Sequence, residues 1–219
     1  MTPERWRYTS EYLKTTFGAQ DAHLAGLMRE AVAAGLPDIA VSPDVGRLLE
    51  LLTSTTRGRL AVEVGTLAGY SAIWIARGLA PDGRLITVEP EATHADFAEA
   101  QLARAGVADR VTVRRGLGID VLAALAAELE PGSVDVLFFD AVKKEYPDYF
   151  RVARELVAPG GLLIADNVLG TDAWWIDDEG HESREAVDAL NRALAADPEF
   201  TAVALPIREG VLVARRRDR

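Results

Sequence analysis

The chain of 219 residues is 49% hydrophobic, which is enough for one α/β domain over residues 1–219 with a well-buried core. It contains no cysteine, which excludes disulfides, thiolate metal sites and a cysteine nucleophile. A net charge of −10 disfavours partners such as nucleic acid or an anionic membrane, and neither a spanning segment nor a secretory signal is recognisable, so we expect a cytoplasmic protein.

The first 55 residues are predicted to form helices that pack over a sheet and cover the functional site. One helix is expected to begin after Ser42, whose side chain can cap it, while Pro43 suits its first turn. From Leu60 onward, short apolar runs alternate with segments of helical spacing. The predicted strands cover residues 60–64, 85–88, 111–113, 134–139 and 162–165. The predicted helices between and after them cover residues 71–79, 92–105, 119–129, 146–157 and 183–196.

Repeated strand–helix–strand units predict a mostly parallel sheet that helices cover on both faces. Turn signals separate the elements at Pro81-Asp82-Gly83, Pro131-Gly132 and Pro159-Gly160-Gly161. Two final runs, 200–205 and 211–214, flank a short connection, which predicts an antiparallel hairpin at the edge of the sheet. The predicted class is α/β, a doubly wound, mostly parallel, seven-stranded sheet with a C-terminal antiparallel hairpin.

The first predicted strand ends in a glycine-containing turn. Gly65 and Gly69 let the backbone turn sharply and let a ligand lie against it, at the carboxyl end of a strand, where open α/β sheets bind ligands. The Gly-x-x-x-Gly spacing is not that of a dinucleotide fold, and no basic residue follows as in a phosphate loop. A nucleoside cofactor without a phosphate fits this turn, although a plain strand-to-helix turn would also explain the glycines.

Two acids favour the nucleoside interpretation. Glu89 ends the second strand, 20 residues after Gly69, where a carboxylate can accept hydrogen bonds from both ribose hydroxyls. Glu63, at the end of the first strand, is predicted to face the cofactor's amino group through water or backbone. A solvent-facing strand end is the alternative for Glu89. The glycines and the acid, in this order and register, favour the cofactor site.

Polar side chains also end the fourth and fifth predicted strands. Asp140 follows one strand, and Asp166 and Asn167 follow its neighbour, so all three are expected at the same edge of the sheet. Two carboxylates and an amide oxygen suit magnesium, with calcium or manganese as alternatives. Helix or loop capping would explain any one of these residues alone. Their convergence favours a metal site.

Lys143 lies three residues after Asp140 and is the candidate general base. An ammonium with its ordinary pKa near 10.4 is a poor base, and a neighbouring dication or desolvation would depress that pKa. A solvated surface lysine is the alternative for Lys143, and we expect it for Lys144.

Four features together resemble the metal-dependent catechol and caffeoyl-coenzyme-A O-methyltransferases, most closely their small bacterial members. They are Glu-x-Gly-x-x-x-Gly-Tyr-Ser from Glu63, the acid Glu89, Asp-x-x-Lys from Asp140, and Asp-Asn at 166–167. The resemblance implies a Rossmann-like class I methyltransferase fold, S-adenosylmethionine (SAM) as cofactor, a divalent cation and a homodimer. It also implies that Asp140, Asp166 and Asn167 bind the metal and that Lys143, beside Asp140, acts as base. The cofactor-binding residues it implies are Glu63, Gly65, Thr66, Gly69, Tyr70, Ser71, Glu89, Gly116, Leu117 and Asp140.

The chain departs from the family pattern at three places. Val142 stands where many members have a second aspartate, so any role of that acid is lost. Gly116-Leu117-Gly118 replaces the usual small residue near the adenine. Arg208-Glu209-Gly210 replaces a common Gly-Asp-Gly in the last hairpin. None of these changes touches the expected ligands or base.

The predicted reaction is metal-dependent methylation of one hydroxyl of a small, aromatic vicinal diol. There are three alternatives. One is methylation of a hydroxylated tRNA nucleoside, which the acidic charge of the chain disfavours. The others are a nicotinamide-dependent dehydrogenase, which the glycine spacing disfavours, and a non-catalytic nucleoside-binding protein. Trp174 and Trp175 follow the expected ligands and are predicted either to stack on an aromatic substrate or to pack against the N-terminal helices or a dimer partner.

Overall fold

The computed structural model describes residues 2–218. Its helices are α1 Pro3–Phe17, α2 Ala22–Ala33, α3 Pro43–Ser54, α4 Tyr70–Gly78, α5 Ala92–Arg104, α6 Gly118–Glu128, α7 Tyr146–Ala153 and α8 Glu182–Ala196, with single 3-10 turns at Lys143–Glu145 and Arg154–Leu156. Its strands are β1 Leu60–Val64, β2 Arg84–Glu89, β3 Val111–Arg115, β4 Val134–Phe139, β5 Val157–Asp166, β6 Gly170–Thr171, β7 Trp174–Trp175, β8 Phe200–Leu205 and β9 Val211–Arg216.

Seven of the strands form one sheet in the order β3-β2-β1-β4-β5-β9-β8. The first five run parallel, whereas β9 pairs antiparallel with both β5 and β8. The strand order reverses between β1 and β4, and open α/β sheets bind their ligands at such a switch point. The predicted doubly wound sheet with its C-terminal hairpin is confirmed.

Hydrophobic side chains cover both faces of the sheet. Every residue of β4 is buried, as expected for a central parallel strand with helices on either side. One core cluster joins the sheet to α2, α3 and α4 through residues such as Leu27, Leu49 and Ile73. The other lies on the opposite face and includes Leu122, Tyr149 and Leu190 from α6, α7 and α8. No helix in the range 2–218 is long and apolar enough to cross a membrane.

Three local predictions need correction. Ser42 occupies the N-cap position of α3, but its side chain makes no capping hydrogen bond, and its hydroxyl is buried without a partner among the described residues. Pro159-Gly160-Gly161 is not a turn but part of β5, where the register with β4 shifts. The helix predicted to reach Val157 ends at Ala153, because a 3-10 turn leads directly into β5.

Candidate active site

A cavity of about 550 Å³ opens at the carboxyl ends of β1, β2, β4 and β5. Eight of the site residues predicted from the sequence line this cavity: Gly65, Thr66, Tyr70, Ser71, Glu89, Asp140, Lys143 and Asn167. Five other predicted residues, Glu63, Gly69, Gly116, Leu117 and Asp166, are not among the lining residues that the described chain supplies. The topological switch therefore carries most of the expected polar groups into a single cavity.

Gly65 lies between the two halves of this cavity, one at the ends of β1 and β2 and the other at the ends of β4 and β5. Its φ is +107°, and a Cβ atom built there would lie 2.1 Å from the backbone oxygen of Asp140. Its N–H donates to the carbonyl of Val88 at 3.1 Å, which continues the β1–β2 pairing into the turn. Only glycine combines this backbone conformation with so close an approach of two strand ends. Gly69, with a φ of +81°, then starts α4.

Glu89 is fixed by its own surroundings at the end of β2. Its Oε2 accepts a hydrogen bond from the N–H of Leu67 at 2.8 Å, and its Oε1 accepts one from the N–H of Glu91 at 3.1 Å. His94 Nδ1 lies 3.4 Å from the same Oε1. The carboxylate lines the cavity in one orientation, and its Oε2, which accepts from Leu67 alone, has a second lone pair for a further donor.

Glu63 lies behind the cavity wall, fully buried. Thr87 donates its hydroxyl proton to Glu63 Oε2 at 2.6 Å. Because a threonine hydroxyl has one proton, Thr87 must accept from Thr66, whose Oγ1 lies 2.6 Å away. Burial raises the pKa of Glu63 to about 7, although the hydroxyls of Ser71 and Thr87 oppose that rise. Glu63 therefore reaches the cavity through the hydroxyl groups of Thr66 and Ser71, which both line it, and not by direct contact.

Gly116 and Leu117, the residues expected near the adenine, lie outside the lining that the described residues give this cavity. Gly116 has a φ of +144° and extends the sheet by donating to the carbonyl of Glu89, while Leu117 is 58% exposed at the start of α6. The cavity wall beyond Glu89 is formed instead by Pro90, Glu91 and His94.

Asp140, Asp166 and Asn167 end two adjacent parallel strands. Phe139 pairs with Ala165 in the β4–β5 register, so the two aspartates follow side by side. Asp166 is only 1% exposed, and its Oδ1 has no hydrogen-bond partner within residues 2–218. Burial, followed by the charge of Asp140, raises the pKa of Asp166 to about 7. Asn167 has a φ of +59°, a left-handed conformation that asparagine tolerates better than most residues.

Lys143 contacts the first of these carboxylates. Its Nζ donates to Asp140 Oδ1 at 2.7 Å and to the hydroxyl of Tyr146 at 2.8 Å. Burial disfavours the ammonium, but the carboxylates of Asp140 and Asp166 outweigh it and hold the pKa of Lys143 above its ordinary value. The depression expected from desolvation is thus overcome by neighbouring charge. Lys144 is exposed, as predicted, with its Nζ 3.8 Å from Glu182.

Two segments remote in sequence complete the cavity. Residues 37–41, between α2 and α3, form one wall, and Arg208 and Glu209, in the β8–β9 connection, form another. The two walls meet where Arg208 Nη1 approaches the carbonyl of Ala40 at 3.5 Å. Residues 37–41 belong to the N-terminal part of the chain expected to cover the site, whereas the only sequence signal at Arg208 is the departure from the family pattern.

The position and the polar lining of this cavity agree with the family to which the sequence of the chain is similar. Its sequence matches the O-methyltransferase family over residues 14–217. This chain belongs to the O-methyltransferase family.

Relatives of this O-methyltransferase support the expected branch. It is 35% identical over 221 residues to a catechol O-methyltransferase from Niastella koreensis, with 94% of this chain and 99% of that protein covered. It is 30% identical over 184 residues to caffeoyl-CoA O-methyltransferase 1 from Eucalyptus globulus, with 81% and 75% covered. The predicted relationship to catechol and caffeoyl-coenzyme-A enzymes is confirmed.

A solved structure agrees with the cofactor prediction. The crystal structure of the O-methyltransferase TomG from Streptomyces achromogenes, involved in tomaymycin synthesis, is a complex with SAM. TomG is 34% identical to this chain, and the two superpose with a TM-score of 0.86 over 99% of each. The chain is a SAM-dependent O-methyltransferase with a class I fold, as the sequence predicted.

The tryptophans of this O-methyltransferase do not line the cavity. Trp174 is buried in the α8 core cluster, and its ring stacks on His181 with centroids 6.1 Å apart. Trp175 is 50% exposed. Trp174 therefore packs in the core cluster of α8 and not against the N-terminal helices, which corrects that part of the prediction. Thr171 and Asp172 of the same loop reach the cavity.

Whether the O-methyltransferase can hold a cation depends on its donor chemistry. Residues 2–218 contain no group of three or more histidine, cysteine, aspartate or glutamate side chains arranged to hold a metal. The expected ligand set has two carboxylates, and its third member is an amide. Lys143 donates a hydrogen bond to Asp140, whereas Oδ1 of the neighbouring Asp166 is buried with no hydrogen-bond partner among residues 2–218. These hard oxygen donors fit a divalent cation such as magnesium.

Proposed function

We propose that this enzyme methylates one hydroxyl of a small aromatic vicinal diol in a reaction that depends on a divalent cation, with magnesium the first choice and calcium or manganese as alternatives. Asp140, Asp166 and Asn167 would hold the cation. The observation that carries the proposal is the pair of aspartates at the adjacent ends of β4 and β5, one unpartnered and the other bonded to a lysine. The curated relatives include enzymes named for catechol and caffeoyl-CoA, both of which are diols.

The cofactor would lie over the ends of β1 and β2. Glu89, held by two backbone N–H groups, would accept hydrogen bonds from the ribose hydroxyls. Gly65 would let the cofactor approach the backbone, while Tyr70 and Ser71 form the adjoining wall. SAM supplies a sulfonium-bound methyl group, which moves to the substrate oxygen while sulfur keeps the bonding electron pair. The role of the protein is mainly to align the two reactants.

The substrate would lie between the cofactor and the ends of β4 and β5. A cation held there would neutralise the two aspartates, stabilise the substrate oxyanion and remove the charge that raises the pKa of Lys143. Lys143 lines the cavity and would take the hydroxyl proton.

The cavity wall favours a small neutral substrate over a polyanion. Acidic side chains outnumber basic ones along it, with Asp38, Glu91, Asp172 and Glu209 set against Lys143 and Arg208. A phosphate backbone entering here would meet unfavourable charge. The exposed apolar side chains of Ile39 and Val142, both in the wall, suit an aromatic ring.

The test is a methyl-transfer assay with labelled SAM on catechols, dihydroxycinnamates and flavonoid diols, each beside its monohydroxyl analogue. We expect turnover on diols only, loss of turnover after chelation, and recovery on adding magnesium. Lys143→Met should lower kcat by about 10²- to 10⁴-fold, whereas the matched variant Lys144→Met should leave it unchanged because Lys144 is exposed. Equal turnover on monohydroxyl analogues, or full activity after chelation, would refute the proposal.

A further inference from the structure

Tyr146 is a fully buried tyrosine that the family motif does not account for. It is the first residue of α7, three positions after Lys143, and its side chain is 0% exposed. A buried phenol must find hydrogen-bond partners for its hydroxyl. Its partners are Lys143 and the backbone at the ends of β4 and β5.

The hydroxyl of Tyr146 connects the ends of β4 and β5. It lies 3.0 Å from the carbonyl oxygen of Phe139 and 3.2 Å from that of Asp166, and its single proton is shared between these two acceptors. Phe139 immediately precedes Asp140. One phenol therefore holds the backbone beside both aspartates.

The same hydroxyl accepts a hydrogen bond from Lys143 Nζ at 2.8 Å. The second partner of that nitrogen is Asp140 Oδ1 at 2.7 Å. These two contacts hold Nζ in one position at the ends of β4 and β5, and Lys143 lines the cavity there.

We infer that Tyr146 is a positioning residue that holds Lys143 Nζ in place at the wall of the cavity, where the substrate hydroxyl would lie. This inference rests on the proposed role of Lys143 as base. The aromatic ring has a separate, structural role, because it packs against Phe139 and Tyr149 with centroids 5.8 and 6.1 Å away. The phenol oxygen can therefore be removed while the packing stays.

Tyr146→Phe is the variant that makes this separation, since phenylalanine keeps the buried ring. We expect kcat to fall about 10- to 100-fold, with the KM values for SAM and diol changed less than about twofold, because only the alignment of the base is lost. Tyr149→Phe is the matched control. Tyr149 belongs to the same aromatic cluster, but its hydroxyl donates to Glu145 at 2.6 Å. Its kcat should equal that of the wild type.

A second substrate distinguishes base positioning from general damage. A nitro-substituted catechol is already ionised at neutral pH and needs little help from a base. The losses in Tyr146→Phe and Lys143→Met should therefore shrink on this substrate, whereas a structural defect would reduce turnover on both catechols equally. In the double variant, Tyr146→Phe should add almost nothing to the loss caused by Lys143→Met.

The outcomes distinguish the proposed role of Lys143 as base from the positioning role of Tyr146. Normal turnover of Lys143→Met would overturn the proposed base and this inference with it. Loss in Lys143→Met with wild-type kcat in Tyr146→Phe would overturn the positioning role alone. An equal loss on catechol and nitrocatechol would assign Tyr146 a purely structural role and would also overturn it.

Discussion

The two halves of the cavity differ in how their polar groups are satisfied. On the β1–β2 side, Glu89 already accepts two backbone hydrogen bonds. The buried Glu63 on that side keeps an unpartnered Oε1 among residues 2–218, but its neighbours are threonine hydroxyls. On the β4–β5 side, Asp166 also keeps an unpartnered oxygen, but it lies beside a second carboxylate, that of Asp140. The first half is preformed by backbone geometry. The second brings two carboxyl groups together, a pair that a cation would stabilise, so the two halves should respond differently to substitution.

The largest effect is expected at Gly65, where the halves meet. In Gly65→Ala the new methyl group would overlap the backbone of Asp140 in a conformation that alanine disfavours. We expect the free energy of unfolding to fall by about 3–5 kcal/mol, with loss of activity. Gly35→Ala is the matched control, since its φ is +91° but nothing lies within 4 Å of its Cβ position.

Gly35→Ala should cost about 1 kcal/mol through backbone conformation alone. Urea denaturation of both variants measures the difference. Equal losses at the two positions would mean that the close approach of β1 to β4 is not what requires glycine.

Glu63 allows a test of the preformed half through pH. Its pKa rises from an ordinary 4.5 to about 7 because it is buried, so the unfolded chain releases this proton at lower pH than the folded one. Glu63 therefore costs stability as pH rises from about 4.5 to 7. Glu63→Gln removes that cost. Relative to the wild type, the variant should gain about 3 kcal/mol across this range.

Denaturant unfolding of cofactor-free protein at a series of pH values measures the gain. The two proteins should have similar stability at pH 4.5 and should diverge above it, since the amide introduced by Glu63→Gln can still accept the hydrogen bond from Thr87. Parallel curves over the whole range would show that folding does not raise the pKa of Glu63.

These sites show what local pattern can and cannot predict. Strands β1, β4 and β8 have the predicted bounds because each is an apolar run between clear turn signals. The parallel register then places Asp140 and Asp166 side by side without further information. The strand-end carboxylates of the site are thus predictable from chain order and strand ends alone.

Other features depend on partners distant in sequence. Pro159-Gly160-Gly161 has the composition of a turn, but it lies between Val157 and Leu162, which both pair with β4, and so forms an irregularity within β5. Residues 37–41 and Arg208 approach one another across the cavity although 168 positions separate Ala40 from Arg208. The position of Glu63 behind the cavity wall also depends on side-chain depth, which strand position alone does not determine.

The charged half can be tested by metal binding. If Asp140, Asp166 and Asn167 hold magnesium, adding the ion at about 100 times its Kd should stabilise the folded wild type by about 2.7 kcal/mol. Asp166→Asn should abolish this gain while the metal-free variant stays folded. Thermal unfolding with and without magnesium measures both. Asp172→Asn is the control, because Asp172 lines the cavity on the exposed β6–β7 turn, and it should keep the full magnesium response.

The smallest effect is expected at Glu89. In Glu89→Gln the side chain keeps one oxygen acceptor, but its N–H₂ group faces the N–H of either Leu67 or Glu91. The remaining oxygen offers the ribose a neutral acceptor in place of a charged one. Losing one charge-assisted hydrogen bond should weaken SAM binding about tenfold, or about 1.4 kcal/mol.

Calorimetry of SAM binding to Glu89→Gln, without magnesium or substrate, isolates this contribution. The variant should keep the magnesium response of the wild type, since Glu89 belongs to the other half of the cavity. Glu99→Gln, on the exposed side of α5, should bind SAM normally. A lost magnesium response in Glu89→Gln would show that the two halves are coupled, because the preformed turn at Gly65 would then transmit a change in β2 to the end of β4.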